Sequence, residues 1–221
     1  MLIWTVVVWR WQDPFTALYT LYKQHQLASS YEHRAASYHT RRIEAGTPLT
    51  VLRRTIAAEA RRYRESSRRG QPIGKIDVPR LGLDHMVLVN GTDHDTLKKG
   101  PGRDLRTFMP GENQLVYIAG HRTTYLAPFS RIDRLRPRDR VTLELPYATF
   151  TYEITGHQIV KSTDLGALRS HGHEQLTLQA CHPRFFATHR YLAYARLVRI
   201  VPRGGQPYVL PRSGSRAPLS R

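Results

Sequence analysis

Cysteine, acidic residues and long apolar runs are all scarce in this 221-residue chain, and each scarcity excludes something. A single cysteine rules out an intramolecular disulfide framework and any Cys-rich zinc module. Seventeen Asp and Glu stand against 34 Lys and Arg, a formal charge of +17 that exceeds what solubility requires. An excess of that size points to a polyanionic neighbour, either nucleic acid or an anionic membrane surface. Residues 1–9 carry no charge and are followed by Arg10 and Trp11. That run falls short of the roughly 20 residues a spanning helix needs, and no basic residues precede it as they would in a cleavable signal. It reads as the last half of a membrane helix whose start lies upstream, ending in a Trp/Arg/Trp interfacial belt. A short apolar strand or a buried helix end is the alternative.

Where the charge sits narrows its meaning. Residues 31–70 hold ten arginines against four glutamates, and residues 203–221 add four arginines with no acid. Asp13-Pro14 reads as a helix start, Asp as N-cap and Pro at the first helical position. Leu18, Leu21, Ala28, Tyr31, Ala35 and Tyr38 then recur at helical spacings, predicting a helix to about residue 44 before Gly46-Thr47-Pro48 breaks it. A second helix is expected over about 50–69, with Val51, Leu52, Ile56, Ala57 and Ala60 set among arginines that form a solvated charged face. The expected organisation is an apolar segment at 1–12, a basic helical stalk at 13–69, a folded domain at 70–202 and a disordered basic tail at 203–221.

After Gly70, short runs rich in Val, Ile, Leu, Thr and Tyr alternate with Gly, Pro, Asn and Asp, the pattern of a small all-β domain. Strands are predicted at about 73–78, 84–89, 114–119, 139–145, 149–160, 174–181 and 190–201, with helical pieces near 93–99 and 127–135. Seven or more strands in about 130 residues favour a barrel or sandwich.

The chemistry is sought at the lone cysteine. Cys181 ends a strand-like run, and Arg190 begins the next; paired as an antiparallel hairpin, the two become neighbours across the ladder. A guanidinium there lowers a thiol's pKa and donates to an oxyanion. Among eleven histidines His121 is the best proton shuttle, because Gly120 before it lets the backbone turn at the end of its strand. Each residue also has a plain structural reading: an inert buried thiol, a turn histidine, one arginine among many.

The local sequences go further. Thr177-Leu178-Gln179-Ala180-Cys181, with Arg190 nine residues on and Ala119-Gly120-His121-Arg122-Thr123 sixty residues upstream, resembles the sortases, Gram-positive cysteine transpeptidases. The run 120–129 and the segment Cys181-His182-Pro183-Arg184 are similar to the class E type of high-GC actinobacteria. The resemblance covers about 70–202. It implies an eight-stranded β-barrel with short helices after an N-terminal helical segment, no cofactor, and an N-terminal membrane anchor with an extracellular catalytic domain. It makes Cys181 the nucleophile, His121 the general acid/base and Arg190 the oxyanion and positioning group, with Thr177, Ala180 and Thr123 at the substrate. The implied partners are surface proteins bearing a Leu-Pro-x-Thr-Gly or Leu-Ala-x-Thr-Gly sorting signal, an amine acceptor on a lipid-linked peptidoglycan precursor or a pilin lysine, and the anionic membrane surface. Ala180 departs from the Thr usual before the cysteine, which removes a hydroxyl expected on the site wall. Residues 160–168, where the family shapes its groove, lack a proline common there.

Two other classes compete. His171, His173, Cys181 and His182 offer four zinc-type ligands, although adjacent residues on a strand face opposite ways. A basic nucleic-acid-binding protein would account for the charge but leaves the Gly-His and Thr-Leu-x-x-Cys constellation unexplained.

Overall fold

The computed structural model describes residues 14–211. Helices α1 (Pro14–Ser37) and α2 (Leu49–Ser66) precede strands β1 (Pro72–Val78) and β2 (Leu83–Asn90), the short helix α3 (His94–Leu97), and the two-residue β3 (Gly102–Arg103). Strands β4 (Leu115–Ala119), β5 (Arg140–Glu144), β6 (Ala148–Lys161), β7 (Gln175–His182), β8 (His189–Pro202) and the two-residue β9 (Tyr208–Val209) follow. The sheet order is β6-β5-β1-β2-β3-β4-β7-β8-β9, and β6 also pairs with β8. That last pairing closes β1–β8 into an eight-stranded barrel, so both rims of the sheet disappear. Two-fold alternation fills the inside. On β7, Leu176, Leu178 and Ala180 face the core, while on β5 Val141 and Leu143 do so. All seven strands expected from sequence are present within two residues of their ends. The two-residue β3 and β9 carry too little pattern to be foreseen.

The N-terminal helices do not form a free-standing stalk. Leu52, Ile56, Ala60 and Tyr63 recur every three or four positions along α2 and are buried against the barrel, while Arg53, Arg54, Arg61 and Arg62 point to solvent. The Tyr63 hydroxyl donates to the Ile73 carbonyl at 3.0 Å, and Arg64 pairs with Glu112 at 2.8 Å. On α1, Tyr31 is buried with its hydroxyl on the Glu144 carbonyl at 3.3 Å. The Gln24 side chain donates to the Val87 and Lys99 carbonyls and accepts from the Val87 N–H, extending a β2 edge that would otherwise lack partners. Sequence periodicity found the buried face of α2 at Leu52, Ile56 and Ala60, although Val51 is exposed; on α1 it found Tyr31, Ala28 and Ala35, whereas Leu18 and Leu21, expected on the same face, are exposed and the polar Thr20 and Gln24 meet the barrel instead.

Two boundaries move. The first helix ends at Ser37, short of residue 44, because Arg203 Nη1 takes up the Ala35 and Tyr38 carbonyls at 2.6 and 3.1 Å. The chain then runs extended, so Tyr38 packs edge-on against Tyr63 at 5.2 Å and Ile43 enters the core. Residues 203–211, assigned to a tail by composition, stay on the barrel. Tyr208 and Val209 pair with Ile200 and Arg199, and Leu210 is buried. The helical piece expected at 93–99 is α3, and that at 127–135 is reduced to a 3-10 turn, Ile132–Arg134. The apolar segment 1–12, the Asp13 cap and residues 212–221 lie outside the described residues. Among those described, no helix is long and apolar enough to cross a membrane.

Candidate active site

Three strand ends build the site. β4 and β7 run parallel with Ala119 beside Gln179, and the Gly120 N–H continues the ladder onto the Gln179 carbonyl at 3.0 Å. His121 follows just beyond the end of this ladder, as Cys181 does two residues past Gln179 on β7. From the other side, β7 and β8 are antiparallel with Cys181 directly opposite Arg190, the neighbours expected from the hairpin. His121, Cys181 and Arg190 line one cleft of about 270 Å³, together with Gln179, Asp104 and Arg106. One further wall is the β6–β7 connection, where Ser162, Leu165 and Leu168 face the cavity. There the Asp164 carboxylate caps the 3-10 turn Leu165–Leu168 by accepting the Gly166 N–H at 2.8 Å. This is the 160–168 segment singled out in the sequence.

Gly120 is required by close approach. A Cβ there would meet the ring of Phe129, which is fully buried, at 2.6 Å. His121 follows it half-buried, with Nε2 enclosed and without a hydrogen-bond partner. Burial pushes its imidazole below the ordinary histidine value, and His94 nearby pushes the same way. Both effects favour the neutral imidazole, the form able to accept a proton. The Arg190 guanidinium is held over the loop between β7 and β8, with Nη1 donating to the Ala187 and His189 carbonyls at 2.7 and 2.9 Å. Asp104 sits across the cleft paired with Arg106 at 2.8 Å. Burial pushes its carboxyl up, but the hydrogen bonds from Arg106 prevail and hold it below the usual range.

The three residues expected at the substrate do not share the cleft with Cys181. Ala180 is fully buried in the barrel core, because successive side chains on a strand face opposite ways and Cys181 takes the cleft side. Its missing hydroxyl is thus missing from the core, not from the site wall. Thr177 is on the Cys181 face of β7 but fully buried, accepting from the Gln175 amide at 3.4 Å. Thr123 is half-buried outside the cleft lining. The proposed zinc ligands are also separated. His171 and His173 precede β7, whereas Cys181 and His182 end it, about 20 Å away along the strand.

Arg122 was not foreseen as a site residue. It is buried, and Nη1 donates to the Cys181 carbonyl at 3.3 Å and the His182 Nδ1 at 3.0 Å, while Nη2 pairs with Asp133 at 2.7 Å. Its guanidinium also lies 5.8 Å from the Tyr191 ring centroid. One side chain thus ties the His121 loop to the backbone of the nucleophile candidate. Its adjacency to His121 was the available signal.

The family model for the Sortase domain matches residues 76–198, more than half of the chain and the span from the end of β1 through most of β8. The chain belongs to the sortase family. It is similar to Sortase D of Bacillus subtilis (strain 168), with 35% identity over 133 residues that make up 58% of this chain and 65% of that protein. This sortase therefore spans less than two thirds of the length of that relative. Among solved structures, sortase E from Streptomyces avermitilis is 32% identical with a TM-score of 0.55, covering 63% of this chain and 97% of that one. A Clostridium perfringens Sortase D5 transpeptidase superposes with a TM-score of 0.63, covering 80% of this chain and 98% of the other; at 24% identity it speaks to the fold. Similarity to class E, read from the motifs, is thus accompanied by similarity to class D.

Proposed function

We propose that this sortase is a cysteine transpeptidase with Cys181 as nucleophile, His121 as general acid/base and Arg190 as the oxyanion donor. The observation that supports it best is the convergence of His121, Cys181 and Arg190 on a single cleft, with Arg190 directly opposite Cys181 across the β7–β8 ladder and His121 just beyond the end of β4, the strand on the other side of β7. A neutral His121 takes the thiol proton as Cys181 Sγ attacks the Thr carbonyl of a Leu-Pro-x-Thr-Gly or Leu-Ala-x-Thr-Gly sorting signal. The oxyanion that forms is met by the Arg190 guanidinium. As the tetrahedral species collapses, the Thr–Gly bond breaks and His121 delivers its proton to the departing Gly amine, leaving a thioacyl enzyme. An incoming amine, from a lipid-linked peptidoglycan precursor or a pilin lysine, attacks the thioester, gives its proton to His121, and leaves with the acyl group while the thiol is restored.

Membrane placement belongs to the same reading. The uncharged segment 1–9 with its Trp belt would anchor the chain, and the basic outer face of α2 would lie against anionic lipid or wall polymer. Incubating the full chain with a sorting-signal peptide and an amine acceptor is expected to give an exchanged product and an adduct on Cys181 by mass spectrometry. Cleavage persisting in Cys181→Ala would overturn the mechanism. His121→Ala and Arg190→Ala, with folding retained, are expected to remove the reaction.

A further inference from the structure

His121 lies in a setting where packing, more than hydrogen bonding, fixes the ring. Its buried Nε2 has no partner, and among the described residues no carboxylate hydrogen-bonds the imidazole to set its orientation. Two rings flank it instead: Tyr125 at 5.2 Å between centroids, tilted by 40°, and His94 at 6.3 Å, edge-on at 89°. His94 and Tyr125 also meet each other edge-on at 6.3 Å, so the three rings form one cluster.

Tyr125 is held in place at a cost. It begins three successive non-glycine residues in the left-handed region, Tyr125 (φ 52°), Leu126 (φ 62°) and Ala127 (φ 39°). Such residues are strained and persist only where surrounding contacts over-determine them. Part of that determination comes from the far end of the chain. The Tyr125 N–H donates to Thr16 Oγ1 at 3.3 Å, and the Tyr19 ring meets the Tyr125 ring edge-on at 6.5 Å. Both partners lie on the first turns of α1, more than 100 residues away in sequence. That part of α1 is itself fastened to the barrel, by Thr20 Oγ1 on the Lys98 carbonyl at 2.9 Å and by Gln24 on Val87 and Lys99.

We propose that Tyr125 is a positioning residue for His121, and that α1 acts as a strap which holds Tyr125 in its left-handed turn and thereby aims the imidazole at Cys181. The inference rests on the proposed acid/base role of His121, and its physical core, the orientation of the ring, is measured without turnover. The strap gives α1 a task beyond joining the catalytic domain to whatever precedes it. It ties the geometry of the proton shuttle to the seating of the N-terminal helix.

The test uses the full chain, three variants of the ring and the strap, and His121→Gln for assignment. Tyr125→Phe keeps the ring, Tyr125→Ala removes it, and Tyr19→Ala with Thr16→Val loosens the strap while leaving Tyr125 intact. By NMR, the His121 ring resonances, assigned by their loss in His121→Gln, are expected to shift and broaden in Tyr125→Ala and in the strap variant, and to stay in place in Tyr125→Phe. In the peptide assay, kcat is expected to fall about 10- to 100-fold in Tyr125→Ala with KM changed less than about threefold, as misalignment without lost binding predicts. Tyr125→Phe should retain kcat within about twofold. Unchanged His121 resonances in Tyr125→Ala would overturn the proposal. A Tyr125→Phe variant as impaired as Tyr125→Ala would also overturn it, because the hydroxyl and not the ring would then matter. If no sorting peptide turns over in the wild-type chain, the function proposed above fails while the NMR result still decides the strap.

Discussion

Replacing Gly120 by Ala adds a single methyl group at the point where the barrel presents His121. The new Cβ would lie 2.6, 2.9 and 3.1 Å from three atoms of the Phe129 ring. Ordinary contact starts at 3.4 Å, so ring and backbone must part by about 0.8 Å. Phe129 cannot yield freely: it has no exposed surface, and its N–H donates to the His121 carbonyl at 3.1 Å. Nor can β4 retreat without stretching the 3.0 Å bond from the Gly120 N–H to Gln179. Overpacking of this kind costs about 1–3 kcal/mol. For a domain of this size that corresponds to a melting temperature about 2–4 °C lower per kcal/mol. A displacement approaching 1 Å at a catalytic group costs up to about 100-fold in rate. The assays are thermal unfolding and the rate of thioacyl formation at saturating peptide. Phe129→Leu in the Gly120→Ala background makes room for the methyl, and the pair should recover much of both losses in a double-mutant cycle. Wild-type stability and rate in Gly120→Ala would refute the reasoning, as would a cycle showing no coupling between the two positions.

Other consequences follow from the same structure. Glu174 is half-buried just before β7, where its carboxylate accepts the Gly111 and Asn113 N–H groups and the Tyr152 hydroxyl; desolvation outweighs these donors and lifts its pKa from 4.5 to about 7. Ionising it then costs the folded state about 3 kcal/mol, a penalty absent below pH 4.5, growing up to pH 7 and complete above it. In urea unfolding, Glu174→Gln should therefore gain about that much relative to wild type between pH 4.5 and pH 8, and parallel stability profiles would exclude the shift. Arg122→Ala removes the clamp between Asp133 and the Cys181 carbonyl and should lower stability by about 2 kcal/mol and slow acylation, measured by denaturation and by adduct formation. Ala180→Thr places a hydroxyl in the barrel core, so it should cost about 1 kcal/mol or more in unfolding experiments while leaving KM for the peptide within about twofold. A change confined to KM would place residue 180 at the substrate after all.

The sequence by itself determined what is local. Alternation of apolar residues set seven strands, three- and four-residue spacing set the buried face of α2, and a β7–β8 hairpin sufficed to bring Arg190 beside Cys181. Period-two alternation also held the answer for Ala180, since a residue adjacent to a cleft-facing cysteine must face the core. Other features depended on segments distant in the chain meeting in space. The barrel closes through β6 and β8, and only that closure turns 160–168 into a wall of the cleft. Arg203 stops α1 from a position 166 residues beyond Ser37. Arg122 reaches the Cys181 carbonyl, and α1 reaches Tyr125, through contacts that no window of the sequence contains. Propensity and periodicity are written in neighbours along the chain; burial and the aim of a side chain are set by whatever the fold brings against it.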